Sequence, residues 1–241
     1  VIPDGSRCFS CPGARELWYQ GAVRLFIVGA ALLLGAVACG SSPTPGPTST
    51  SSPASRGDAG ALNPARIDRV RYDLPPGYEV VALDPRANPV SLWGFGPHWT
   101  ADPAECAAPA APVTEAARGW SASGPGGIVY AAVSKRSDVP GEPGSAPCDR
   151  WSVSGGHSVG TVTATAAPAI EEATTAGMST AVTTVVEGGT ETRSHADTFT
   201  ADLAGYHVFV TVITDPGSPT PALDSAFTSD LLVKSVSALR G

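Results

Sequence analysis

Lysine is almost missing from this 241-residue chain, with Lys135 and Lys234 its only two. Lys and Arg together number 15 against 22 Asp and Glu, a net charge of −7. The few cations are scattered, so there is no basic stripe for nucleic acid, and none is expected as a partner. Histidine is equally sparse: His98, His157, His195 and His207 are the four. They do not stand with cysteines at metal-ligand spacing, and neither a metal nor a cofactor is expected. The glycine runs Gly124–Gly127 and Gly155-Gly156 lack a following Lys-Ser/Thr, which excludes a phosphate loop and leaves tight turns. No nucleophile elbow of the α/β-hydrolase kind is expected either. A membrane-spanning run is also lacking. The longest apolar stretch, Leu25 to Cys39, would rise about 22 Å as a helix, short of the roughly 30 Å hydrocarbon core.

What that short stretch does offer is an export signal. Val23 to Cys39 reads VRLFIVGAALLLGAVAC: one Arg, an apolar run, then small residues closing on a cysteine. An h-region of 7–15 residues fits this length. Ala36-Val37-Ala38-Cys39 has the form of a lipobox, though Ala36 stands where Leu or Val is more usual. Residues 23–38 are therefore expected to be a lipoprotein signal peptide, with Cys39 lipidated (palmitate included) on the extracytoplasmic face of the cell membrane. Residues 1–22 precede a compact n-region and are expected to be a spurious N-terminal extension. In that case Cys8 and Cys11 are not a redox or zinc motif, and a lone C-x-x-C is weak evidence for one anyway. Residues 39–60 carry Ser, Pro, Thr and Gly almost alone, which predicts a disordered tether reaching about 25 Å. The globular part is assigned to 61–241.

Within it, Cys106 and Cys148 are the remaining cysteines. In an exported domain they are expected to form one disulfide, closing a loop of about 40 residues and contributing roughly 3–4 kcal/mol. The rest reads as alternating strands. Leu74-Pro75-Pro76-Gly77 feeds a strand, and Val90 to Phe95 reads as another. Trp120–Ser123 and Gly127–Val133 follow, then Cys148–Val153 and Ser158–Ala167. Met178–Glu187 and Thr190–Thr200 flank Gly188-Gly189 as a two-residue hairpin turn. Tyr206–Thr214 is the most apolar strand. Short helices are expected after Asn63-Pro64 and Asp102-Pro103. From Thr220 on, Leu223, Phe227, Leu231, Val236 and Leu239 define one face of a final helix. The fold class is α+β: a single domain with an antiparallel meander flanked by helices, one of them C-terminal. Trp93, Trp99, Trp120 and Trp151, with Phe95 and Tyr130, are assigned to the core, with an apolar pocket as the alternative.

The strings LPPGYEV (Leu74–Val80), GWSASGPGGIVY (Gly119–Tyr130), CDRWSVSGGHSVGTVT (Cys148–Thr163) and TTVVEGGTETRSHADTFTADL (Thr183–Leu203) resemble a family of mycobacterial cell-envelope lipoproteins. FVTVITDPGSP (Phe209–Pro219) and DLLVKSVSALRG (Asp230–Gly241) extend the resemblance. The family's globular part is a domain of unknown function. In layout it is similar to the extracellular sensor domains of mycobacterial Ser/Thr kinases, which implies an antiparallel sheet with helices, a disulfide and a ligand-sized cleft. It supplies no catalytic residues.

The candidate ligand-binding residues are Glu191, Arg193, His195, Asp197 and Phe199, with a solvated sheet face or structural ion pairing as the alternative. At period two they share one strand face. With a two-residue turn at Gly188-Gly189 their neighbours are Val182, Thr184 and Val186, so a polar row lies between apolar ones. His207 is expected opposite Thr200 on the other face. Ser194 and His195 point to opposite faces, which argues against their acting as nucleophile and base. Three functions stay open. The first is a non-enzymatic envelope lipoprotein binding a small hydrophobic ligand, glycan, peptide or envelope protein. The second is an accessory lipoprotein acting only by protein contacts. The third is a hydrolase with dispersed residues.

Overall fold

The apolar run Tyr206–Thr214 has no polar face to give to solvent, and it sits in the middle of a nine-stranded antiparallel sheet. The computed structural model describes residues 61–137 and 148–241. The strands are β1 (Glu79–Ala82), β2 (Thr100–Asp102), β3 (Arg118–Gly124), β4 (Gly127–Lys135), β5 (Arg150–Gly155), β6 (Ser158–Thr165), β7 (Thr174–Val185), β8 (Glu191–Leu203) and β9 (Tyr206–Thr214). Their order is β1-β3-β4-β9-β8-β7-β6-β5-β2. The meander runs unbroken from β5 to β9, and the β3–β4 hairpin docks on the free side of β9. The fold is α+β, as expected from the sequence. The expectations for 1–22, the signal at 23–38, Cys39 and the tether to residue 60 lie outside the described residues.

Each sheet face is covered over half its width. On the first face lie the 3-10 helix Pro64–Asp73 and the C-terminal α2 (Ser225–Arg240), with α1 (Pro89–Leu92) on the other. The 3-10 helix starts on Asn63, whose side chain accepts from Ala65 N, with Pro64 supplying a preset first turn. Asp224 caps α2 by accepting from Phe227 N at 2.8 Å. It thus ends the preceding loop and does not sit inside the first turn, and the helix begins later than Thr220. Leu231, Leu232, Val236 and Leu239 pack with Ile67, Val70, Trp120, Phe199 and Val210. Burying each such side chain contributes roughly 1.5–3 kcal/mol.

The opposite face is closed by α1, the Cys106 turn and the loops beside them. Val90, Trp93, Phe95, Cys106, Trp151, Val162, Met178 and Val182 form its core. Cys106 and Cys148 are bonded, with Cα atoms 5.3 Å apart. Val90 to Phe95 is not a strand. Asn88 accepts from Ser91 N while Ser91 Oγ accepts from Asn88 N, a capping box that starts a helical turn at Pro89.

The β7–β8 connection also differs from expectation. Val186 N donates to Thr190 O and Gly189 N to Val186 O, so the loop is Glu187-Gly188-Gly189. Both glycines have positive φ, 87° and 80°. Three residues in place of two shift the register by one, and a one-residue shift turns the partner strand over. Ala181, Thr183 and Val185 therefore stand opposite His195, Arg193 and Glu191. Val182 goes instead to the buried core of the other face.

Candidate functional site

β8 places Glu191, Arg193, His195, Asp197 and Phe199 on one face, but it does not make them one site. Phe199 lies under α2 in the core, 3% exposed and away from the rest of the row. Glu191 and Arg193 stand at the open hairpin tip, 3.7 Å apart and both exposed. A pair of that kind contributes about 0–1 kcal/mol. His195 and Asp197 are the members that meet: His195 Nε2 donates to Asp197 Oδ1 at 3.2 Å. The His195 side chain is 37% exposed and Asp197 15%. The hydrogen bond to Asp197 raises the His195 pKa above its ordinary value, with burial opposing and the Asp197 charge adding.

Ser179, directly across from Asp197, completes the group. Its Oγ lies 3.5 Å from the same His195 Nε2. A nucleophile relay needs the hydroxyl and the carboxylate on opposite ring nitrogens. Here both address one nitrogen, and while its proton goes to Asp197 the Ser179 oxygen can only accept. The group fits hydrogen bonding to a ligand and does not fit nucleophile activation. Beside it opens a groove of about 640 Å³, walled by Thr214, Asp215, Ser218 and the prolines of the β9–α2 loop. Asp215 Oδ1 accepts from Gly217 N at 2.8 Å, fixing that turn. The same face continues across β7, β6 and β5 as Ser179, Thr183, Thr161, Thr163, Ser152 and Ser154, interrupted by the exposed Val159 between Thr183 and Ser154. The register shift puts Ala181, Thr183 and Val185 beside β8 in place of Val182, Thr184 and Val186, so the row next to His195 is small and polar while a valine still stands opposite Glu191.

The string Gly156-His157-Ser158-Val159-Gly160 carries the letters G-x-S-x-G, against the expectation that no elbow occurs. Its setting is a hairpin turn between two strands, with no helix following. Ser158 is 6% exposed and its hydroxyl pairs with Thr184 Oγ1 at 2.8 Å. Among the described residues no base addresses it, and it lacks the strand–turn–helix setting of an elbow. His157 and His98 are exposed loop residues.

His207 proves to be paired with a carboxylate as well. The β8–β9 turn is Ala204-Gly205, so His207 stands opposite Asp202 and not Thr200. His207 Nδ1 donates to Asp202 Oδ1 at 2.8 Å, and Arg136 Nη1 reaches the same oxygen at 2.9 Å. The His207 and Arg136 side chains are 2% and 8% exposed. Burial raises the Asp202 pKa, and the bonds and charges of His207 and Arg136 more than offset it, leaving it below its ordinary value. Among the described residues, no group of three or more His, Cys, Asp or Glu converges to hold a metal ion.

Sequence reasoning missed Ser179, Asp215 and the Asp202–His207 pair. The first and last depend on hairpin register, which only the loop length reveals. Asp215 stands in an Asp-Pro-Gly sequence, whose composition signals a turn and nothing more.

A family model, "Domain of unknown function (DUF5642)", matches residues 63–240. The chain belongs to the DUF5642 family. Among solved structures, this DUF5642 domain is similar to an uncharacterized protein (Rv0999 ortholog) from Mycobacterium smegmatis. The two share 21% identity with a TM-score of 0.55, over 76% of this chain and 100% of the other. At that identity the likeness is one of fold. No curated protein matches the chain.

Proposed function

We propose that this DUF5642 protein is an exported, lipid-anchored component of the cell envelope whose domain binds a ligand or partner without performing chemistry. The anchor rests on the Val23–Cys39 stretch, whose length and small-residue ending suit a lipoprotein signal better than a span. The resemblance to envelope lipoproteins and to kinase sensor domains supports the same reading. For the domain, the observation that carries it is the sharing of one His195 nitrogen by Ser179 and Asp197. That arrangement offers hydrogen bonds at the edge of a groove and no relay. The groove is shallow, with hydroxyl and proline walls, and suits a polar chain such as a peptide better than an acyl tail. A second reading, an accessory protein acting by protein contacts alone, is favoured by the open face of β5–β7, where hydroxyls surround the exposed Val159 and Val185.

Metabolic labelling with a palmitate analogue tests the anchor. The wild type is expected to carry label and sediment with membranes, and Cys39→Ala to do neither. A Cys39→Ala protein still labelled and still in the membrane fraction contradicts it.

A further inference from the structure

On the face opposite His195, the β1–α1 loop and the approach to β2 enclose a second groove of about 420 Å³, within the roughly 300–1,000 Å³ of small-molecule sites. Its apolar base is Leu92, Phe95 and Trp99, and its rim is Asp84, Arg86 and Asn88. Trp93, Trp120 and Trp151 are 3%, 2% and 4% exposed. Among the described tryptophans only Trp99 is half-exposed. It is seated there by a glycine: a Cβ on Gly155 would stand 3.1 Å from Trp99 Cα. Trp99 packs against the core around Trp93 and Trp151, as expected for it, and also lines the groove.

The rim is polar, planar and electrically balanced. Arg86 lies along Asp84, Nη2 to Oδ2 at 3.3 Å and Nε to Oδ1 at 3.4 Å, the two side chains 91% and 57% exposed. Such an exposed pair adds little stability, yet it presents a flat row of donors and acceptors. Asn88 spends its Oδ1 on Ser91 N, and its amide NH2 has no partner among the described residues. An aromatic face takes the C–H surface of a ring, while carboxylate, guanidinium and amide groups take the hydroxyls around it. One carboxylate paired with one guanidinium attracts neither an anion nor a cation.

We propose that the Trp99 groove binds a neutral sugar, with one pyranose ring stacked on the indole and its hydroxyls bonded to Asp84, Arg86 and Asn88. The site is separate from the His195 groove and needs no lipid anchor. The purified chain is applied to an array of neutral and acidic oligosaccharides, and the strongest neutral binder is then titrated calorimetrically. At least one neutral oligosaccharide should bind. Trp99→Ala should weaken it ten-fold or more, Trp99→Phe by less because a ring face remains, and His195→Ala not at all. Thermal melts of all three variants establish that they fold. Absence of any neutral binder, preference for acidic oligosaccharides, or equal affinity in folded Trp99→Ala would each overturn the proposal.

Discussion

Two histidine–aspartate pairs lie in the same pair of adjacent strands and serve different ends. Asp202 and His207 face each other across β8 and β9 on one side of the sheet, closed in with Arg136. His195 and Asp197 stand two residues apart on β8, on the other side, with His195 at the lip of an open groove. In the first pair one carboxylate oxygen serves both His207 Nδ1 and Arg136 Nη1, and removing it leaves the His207 imidazole buried without its acceptor. The second keeps more than a third of its imidazole in water, where the same hydrogen bond contributes little to folding. Identical chemistry is structural in one place and available to a partner in the other, and what separates them is burial.

The comparison breaks most easily at Asp202. Asp202→Ala removes the oxygen shared by His207 and Arg136 and should lower unfolding free energy by about 3 kcal/mol, read from urea melts. A loss below about 1 kcal/mol would mean that this pair, too, is peripheral to stability.

A smaller effect separates the pairs by pH. Asp202 has a folded pKa below its unfolded one, about 3.9. Its contribution is complete above the unfolded value and is lost as pH falls through the folded value. His195 has the reverse sign: its folded pKa lies above the unfolded value of about 6.5. Its contribution is complete below that value and disappears as pH rises through the folded one. Being exposed, it should amount to under about 1 kcal/mol. Urea midpoints between about pH 2 and 9 should show an acid limb that Asp202→Asn reduces. A slight decline past neutrality should vanish in His195→Gln. An unchanged acid limb in Asp202→Asn would count against the assignment.

Much of the fold is legible in residue order. Strand β9 occupies Tyr206–Thr214 as its apolar run dictates, and the α2 stripe packs where Leu231, Val236 and Leu239 point. Other parts were illegible for physical reasons. Val90 to Phe95 has strand-like composition, but the Asn88–Ser91 capping box and the preset φ of Pro89 decide for a helical turn. Thr100–Asp102 is too short for alternation to show, and it forms a strand because β5 offers an edge. At the site, the shared face of His195 and Asp197 followed from period two alone. Its neighbours did not, since Gly188-Gly189 closes either a two- or a three-residue loop and only the choice made in space fixes which side of β7 accompanies β8. Phe199 illustrates the same limit: the strand keeps its face while the cover changes from water to α2 along its length.

The most direct test of this division is native mass spectrometry of the protein taken from its own envelope, as wild type and His195→Ala, with urea melts of both. The wild type should retain an adduct that His195→Ala loses, while the two unfold within about 0.5 kcal/mol of each other. Identical spectra from the two proteins, or a His195→Ala variant destabilised as much as Asp202→Ala, would contradict it.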